Sequence, residues 1–200
     1  EDKEKYGDDR KTQIVPEQGE VTIEDLTPNT QMAVFITHQG YLKRISLDTF
    51  ERQNRATRGK AGMKTKDDDD IQHFFTAMMH DKVLFFSSKG IVYSLNVYDF
   101  PEGGRQSKGL PIVNVLPIEQ GERITAVVPV SNFSHDLNLI MLTQKGYIKR
   151  IELDNFASIR RSGIIAISLE EGDKLNWVKL ANPNDEIIIG TSCGMAIRFP

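Results

Sequence analysis

Between Phe50 and Asp67 the chain carries six basic residues, Arg52, Arg55, Arg58, Lys60, Lys64 and Lys66, with Glu51 as the one acid among them. Cations in that density do one kind of chemistry well, which is to neutralise phosphates. The glycines beside them, Gly59 and Gly62, let backbone amides come close to an anion. Two shorter versions follow, at Gly103-Gly104-Arg105-Gln106-Ser107-Lys108-Gly109 and at Ile159-Arg160-Arg161-Ser162-Gly163. Gly59 lies nine positions beyond Phe50 and Gly109 nine beyond Phe100, while the third loop is two residues shorter. A single charged loop is ordinarily just solvated. Loops that return in register predict a spaced basic track, which suits a bent polyanion such as duplex DNA. The candidate contacts are Arg55, Arg58, Gly59, Lys60 and Lys64 in the first loop, Arg105 and Lys108 in the second, Arg160 and Arg161 in the third, and Arg44 and Arg150 on strands. Nothing in the pattern reads base edges, so backbone contact and duplex shape are the expected modes.

Other reactive side chains lack a companion set. Asp67-Asp68-Asp69-Asp70 has neither the glycine nor the distal glutamate of a calcium loop and reads as a solvated acidic turn that repels stray polyanion. His38, His73, His80 and His135 show no metal-ligand spacing, and no metal site is expected. Tyr41, Tyr93 and Tyr147 fall on core-facing strand positions without the basic neighbours a nucleophile needs. Phe74-Phe75, Met78-Met79 and Trp177 read as packing, and there is no phosphate-binding P-loop. No catalytic residue is assigned.

The elements that position the loops come from a repeat. Phe35 to Arg44, Phe85 to Ser94, Met141 to Arg150 and Ile189 to Arg198 align, with Gly40, Gly90, Gly146 and Gly194 spaced 50, 56 and 48 residues apart. Each is an apolar strand, a short polar turn ending in glycine, and a strand of period two, which is β-hairpin chemistry. The faces Tyr41-Lys43-Ile45-Leu47, Ile91-Tyr93-Leu95-Val97 and Tyr147-Lys149-Ile151-Leu153 are expected to pack against a neighbouring sheet, with Arg44, Arg150 and Arg198 on the other side. With later strands at Ile124–Val128 and Asn176–Leu180, the unit is a blade of about four strands. The expected division is a linker or end of a preceding helical region at 1–20 and an all-β, propeller-like domain at 21–200. Its blades fall near 30–80, 81–133 and 134–184, with the start of a fourth at 185–200, as in a fragment of a longer array.

Composition is compatible with this. The chain has 200 residues, 39% hydrophobic and 26% charged, with a net charge of −3 in which the basic loops and the aspartate run offset each other. No apolar run reaches the roughly 20 residues of a membrane span. The charged N-terminus shows no secretory leader, and the one cysteine, Cys193, suits a reducing compartment.

Several segments resemble a known family. Tyr6-Gly7-Asp8-Asp9-Arg10-Lys11-Thr12, His38-Gln39-Gly40-Tyr41, Ser87-Ser88-Lys89-Gly90-Ile91-Val92-Tyr93-Ser94 and Gly109-Leu110-Pro111-Ile112-Val113-Asn114-Val115-Leu116-Pro117 are similar to the C-terminal domain of DNA gyrase A. Gln53 to Gly59 falls where that family has a Gln-Arg-Arg-Gly-Gly-Arg-Gly box. Gln53, Arg55, Arg58 and Gly59 match, which adds Gln53 to the candidate DNA contacts; Asn54, Ala56 and Thr57 depart, which implies a weaker grip. The resemblance implies a six-bladed β-pinwheel whose blades exchange strands and around whose basic rim duplex DNA wraps. It implies a parent type II DNA topoisomerase, an isomerase that introduces negative supercoils. Magnesium and the catalytic tyrosine lie elsewhere in that parent, ATP is handled by the gyrase B polypeptide, and no cofactor belongs to this segment. The implied partners are duplex DNA, the rest of a gyrase A dimer and gyrase B in an A2B2 heterotetramer. The implied location is the cytoplasm at the nucleoid, or a plastid. Two alternatives stay open: the corresponding domain of topoisomerase IV, and a propeller scaffold that binds protein.

Overall fold

The computed structural model describes residues 22–47, 69–104 and 106–200. The four repeated segments are antiparallel hairpins: β1 (Gln31–Thr37) with β2 (Tyr41–Ser46), β4 (Lys82–Ser87) with β5 (Ile91–Asn96), β8 (Asn138–Thr143) with β9 (Ile148–Glu152), and β12 (Ile187–Gly190) with β13 (Ala196–Phe199). At the turns Gly40, Gly90, Gly146 and Gly194 have φ of 80°, 78°, 93° and 79°, where a Cβ is strained. Three residues earlier stands a hydroxyl. Thr37, Ser87, Thr143 and Thr191 each accept the amide N–H of the residue after the glycine, at 3.1, 3.3, 3.1 and 3.2 Å. A hydroxyl residue, two variable positions and glycine therefore close every turn by the same local bond.

A third strand lies beside each of the first three hairpins: β3 (Ile71–Met78) on β1, β7 (Ile124–Val130) on β4, and β11 (Leu175–Ala181) on β8. The fourth strand comes from the next repeat. β6 (Leu110–Pro111), which follows the second hairpin, pairs with β2; β10 (Ile164–Ile165), which follows the third, pairs with β5. The sheets run β3-β1-β2-β6, β7-β4-β5-β10 and β11-β8-β9, with β12-β13 beyond. β7 touches both β3 and β11, so these three strands form the inner side of the stack and β6 and β10 its outer edge. This is the strand exchange of an all-β pinwheel. Among the described residues the third sheet has no outer fourth strand, and Tyr147 and Ile148 at its edge are 52% and 39% exposed.

The sheets bury both faces, which corrects the expectation of one apolar face per hairpin. Val34, Ile36 and Leu42 pack with Val83, Phe85 and Tyr93 between the first and second sheets. Leu84, Phe86 and Val92 pack with Leu139, Met141 and Val178 between the second and third. Ala33, Phe35 and Ile45 form a smaller cluster on the opposite side of the first sheet. A strand sandwiched between sheets reads as a continuous apolar run, as Val83-Leu84-Phe85-Phe86 does, all four at 0% exposure. Each such side chain contributes about 1.5–3 kcal/mol of burial. The recurring phenylalanine has a similar cause. A 3-10 turn at Val97–Asp99 drops Phe100 edge-on to Phe85, with ring centroids 5.9 Å apart, and one at Leu153–Phe156 sets Phe156 against Phe86 at 6.3 Å. Several packing expectations differ from the structure. Tyr147 and Lys149, expected to face the core, are exposed at an edge with no outer strand among the described residues. Phe74 stacks on Phe35 yet is 61% exposed, and Trp177 is 52% exposed although Val178 beside it is buried. Phe74 sits on the inner strand of the first sheet, with no described sheet before it, and Trp177 lines a groove at the inner strands. A short helix α1 (Ile23–Leu26), capped by Thr22 and Asp25, leads into β1. No helix among the described residues is long and apolar enough to cross a membrane.

Candidate nucleic-acid interface

The strand exchange decides where the basic loops go. To reach β2 of the preceding repeat, the chain after Phe100 must run along the outer edge of the first sheet. Arg44 N–H donates to Pro101 O at 3.0 Å and Gly103 N–H to Arg44 O at 3.1 Å, and pairing resumes at Leu110 with Leu42. Between these points the chain bulges, and Gly104, Gln106, Ser107 and Lys108 are exposed. The chain after Phe156 repeats the route along the second sheet to β10, with Arg160, Arg161 and Ser162 exposed. Both loops sit on outer edges because their neighbours in sequence are outer strands.

Lys108, Arg160 and Arg161 thus project from successive edges of the stack, and none is in an ion pair within the described residues. Arg150, exposed on β9, continues the series at the third sheet's edge. Arg44 has other company: its side chain is 11% exposed, Nη2 is 3.5 Å from Glu102 Oε2 and Nη1 is 2.7 Å from Met79 Sδ. The structure therefore brings Arg44 into the sheet edge, where its contacts are with this chain. Gln53, Arg55, Arg58, Gly59, Lys60, Lys64 and Arg105 lie outside the described residues.

The opposite sign gathers at the hairpin turns. Asp69 is 5% exposed and accepts Gln39 N–H at 3.0 Å, and Asp173 is 8% exposed and accepts Lys145 N–H at 3.0 Å. Burial alone would raise the Asp173 carboxyl. Hydrogen bonds from the Thr143 hydroxyl and the Lys145 and Lys174 amides outweigh it and hold the group below the usual carboxylate range. Glu122, at 8% exposure, instead accepts the Tyr93 hydroxyl at 3.1 Å on both oxygens. Burial first, and that carboxylate second, push the Tyr93 pKa up to about 12. Asp69 is thus a turn clamp and not a solvated acid. The sequence held a signal for this group, because Gly121-Glu122-Arg123-Ile124 and Gly172-Asp173-Lys174-Leu175 are the same pattern one repeat apart.

Two other groupings appear only in three dimensions. His135, Glu152 and Asp154 bring ligand-type atoms within 4.8 Å of one another, with His135 Nδ1 2.8 Å from Asp154 Oδ2. That histidine side chain is 83% exposed and already paired, so it makes a surface ion pair when protonated. A groove of about 630 Å³ at the inner strands is lined in part by Gln72, Arg123, Asn176 and Trp177.

The chain has known relatives. The family described as "DNA gyrase C-terminal domain, beta-propeller" matches residues 31–77, 81–131, 137–182 and 185–200. The DNA gyrase A polypeptide of Synechocystis sp. is 54% identical over 190 residues, covering 95% of this chain and 22% of that protein. That of Halalkalibacterium halodurans is 47% identical over 197 residues, covering 98% of this chain and 24% of that protein. A crystal structure of the C-terminal domain of DNA topoisomerase IV is similar with a TM-score of 0.73 at 26% identity, covering 86% of this chain and 52% of that one. The chain spans less than a quarter of the length of these curated relatives.

Proposed function

Because the chain belongs to the DNA gyrase C-terminal domain family of β-propellers, we propose that it is the DNA-wrapping module of a gyrase A polypeptide. The observation that carries this reading is the placement of Lys108 on the outer edge of one sheet and of Arg160 and Arg161 on the outer edge of the next, exposed and without ion-pair partners among the described residues. A duplex laid along those edges meets a cation at each sheet. Every phosphate neutralised releases counterions and favours further contact with the edge. Bending a short duplex costs on the order of 1–6 kcal/mol, which added contacts offset only if the cations follow a curve. In this role the segment stores bend and handedness. Strand cleavage with magnesium, and ATP hydrolysis in gyrase B, take place outside it. The partners proposed are duplex DNA, the rest of a gyrase A dimer and gyrase B in an A2B2 heterotetramer, in the cytoplasm of a bacterium or in a plastid.

The likeness to a topoisomerase IV domain supports a second reading, in which the same edges bind DNA without a strong wrap. Religation of nicked plasmid over a series of protein concentrations separates the two. The wrapping reading expects a shift in linking number toward positive writhe, growing with protein. Binding without any shift contradicts it and favours the second reading.

A further inference from the structure

The bulge that carries Lys108 is built around a buried charge. Lys43 on β2 is 0% exposed, and its Nζ donates to Gly104 O at 2.9 Å and Ser107 O at 2.8 Å. The ammonium lies 5.7 Å from the centroid of the Phe35 ring, which adds a cation–π contact. An isolated buried ammonium is costly unless its protons are satisfied. Here it is held by carbonyls of a chain segment that has left the ladder and cannot pair them with strand amides. Ser107 N–H closes a turn on Gly104 O at 3.0 Å, and Ser107 Oγ accepts Gly109 N–H at 3.2 Å, so the loop is wrapped around the Lys43 head. Glycine permits the close packing of the loop: a Cβ on Gly109 would sit 2.4 Å from Leu42 O, and one on Gly103 2.9 Å from Ser107 Oγ.

We propose that Lys43 is a positioning residue for DNA binding by the next repeat: its ammonium gathers the inward carbonyls of Gly104 and Ser107 and so holds the bulge with Lys108 facing outward. The Lys43 side chain is closed to solvent, so it acts through the loop. Burial lowers its pKa from the ordinary lysine value, in keeping with an enclosed head group. The register equivalent on the third sheet, Lys149, donates instead to Ala166 O at 2.9 Å and is exposed, so the device belongs to the first sheet's edge among the described residues.

The proposal rests on the DNA-binding reading, and its test separates the two. In Lys43→Met, which keeps the stem and removes the donors, amide hydrogen exchange at Ser107 and Gly109 is expected to quicken tenfold or more, while Val34 and Gly163 stay protected. Affinity for a random-sequence duplex should fall, with the salt slope flatter by roughly one unit although the deleted charge was buried. Unchanged exchange at Ser107 and Gly109 in the folded variant overturns the proposal, and so does faster exchange with an unaltered salt slope. If the wild-type chain binds duplex without salt dependence, the wrapping reading fails by itself and the exchange result decides the role of Lys43. If Lys43→Met does not fold, heteronuclear NMR of the wild-type chain decides: a slowly exchanging lysine ammonium supports the wrapped head group, and none contradicts it.

Discussion

The two outer-edge loops take the same route and solve it with different chemistry. The loop over the first sheet advances nine positions from Phe100 to Gly109 and encloses the Lys43 ammonium. The loop over the second advances seven from Phe156 to Gly163 and lies on Tyr93, the residue in the same strand register as Lys43. A Cβ on Gly163 would fall 2.9 Å from the Tyr93 ring, and one on Gly109 only 2.4 Å from Leu42 O. The Tyr93 hydroxyl is spent on Glu122, so no donor is left to fill a wider bulge. Loop length and the strand residue beneath it therefore vary together: two extra residues expose carbonyls that an ammonium can gather, and the shorter loop closes flat on an aromatic ring. What the repeats share is the glycine at positive φ where the chain rejoins the edge, at 81° in Gly109 and 78° in Gly163.

The glycines give the largest expected effect. Gly109→Ala and Gly163→Ala each force a Cβ into left-handed backbone, at a cost on the order of 1–3 kcal/mol. Gly109 should be the worse of the two, because its obstacle is a strand carbonyl whereas a ring can tilt. Urea denaturation of both variants checks this, and the reverse order would break the comparison. A smaller effect, about 1–2 kcal/mol, is expected from Tyr93→Phe, which leaves the ring under Gly163 and removes the bond to Glu122. Exchange at Gly163 should stay as it is, since the loop leans on the ring. Loss of protection there would mean that the hydroxyl network shapes both loops.

Much of this was legible in the residues. The glycine spacing and the alternation around it specify the hairpins, and the recurrence of basic loops after Phe100 and Phe156 places those two at one point of the repeat, while the loop after Phe50 lies outside the described residues. The resemblance supplied strand exchange, which local pattern does not encode because β6 and β10 are two residues each and pair across repeats. The partners of individual charges were not legible. Arg44 and Arg150 occupy the same register, yet one is tucked against Met79 and Glu102 and the other is exposed, because a returning loop covers the first edge and none among the described residues covers the third. Lys43 falls on a face expected to pack inward, with no local sign of its partners, and Asp69 reads as part of a solvated run. Both are buried because distant backbone, a carbonyl pair in one case and a turn amide in the other, satisfies them.

The surface substitutions have the smallest effect on stability and the most to say about function. In the triple variant Lys108→Ala, Arg160→Ala, Arg161→Ala, unfolding free energy should change by less than about 1 kcal/mol, as exposed charges do. The decisive measurement is the slope of log affinity for duplex DNA against log salt, in this variant and in the wild-type chain. A flattening by roughly two to three units is predicted, with binding weakened alike on all sequences. An unchanged slope would contradict the claim that the outer edges of successive sheets hold the duplex.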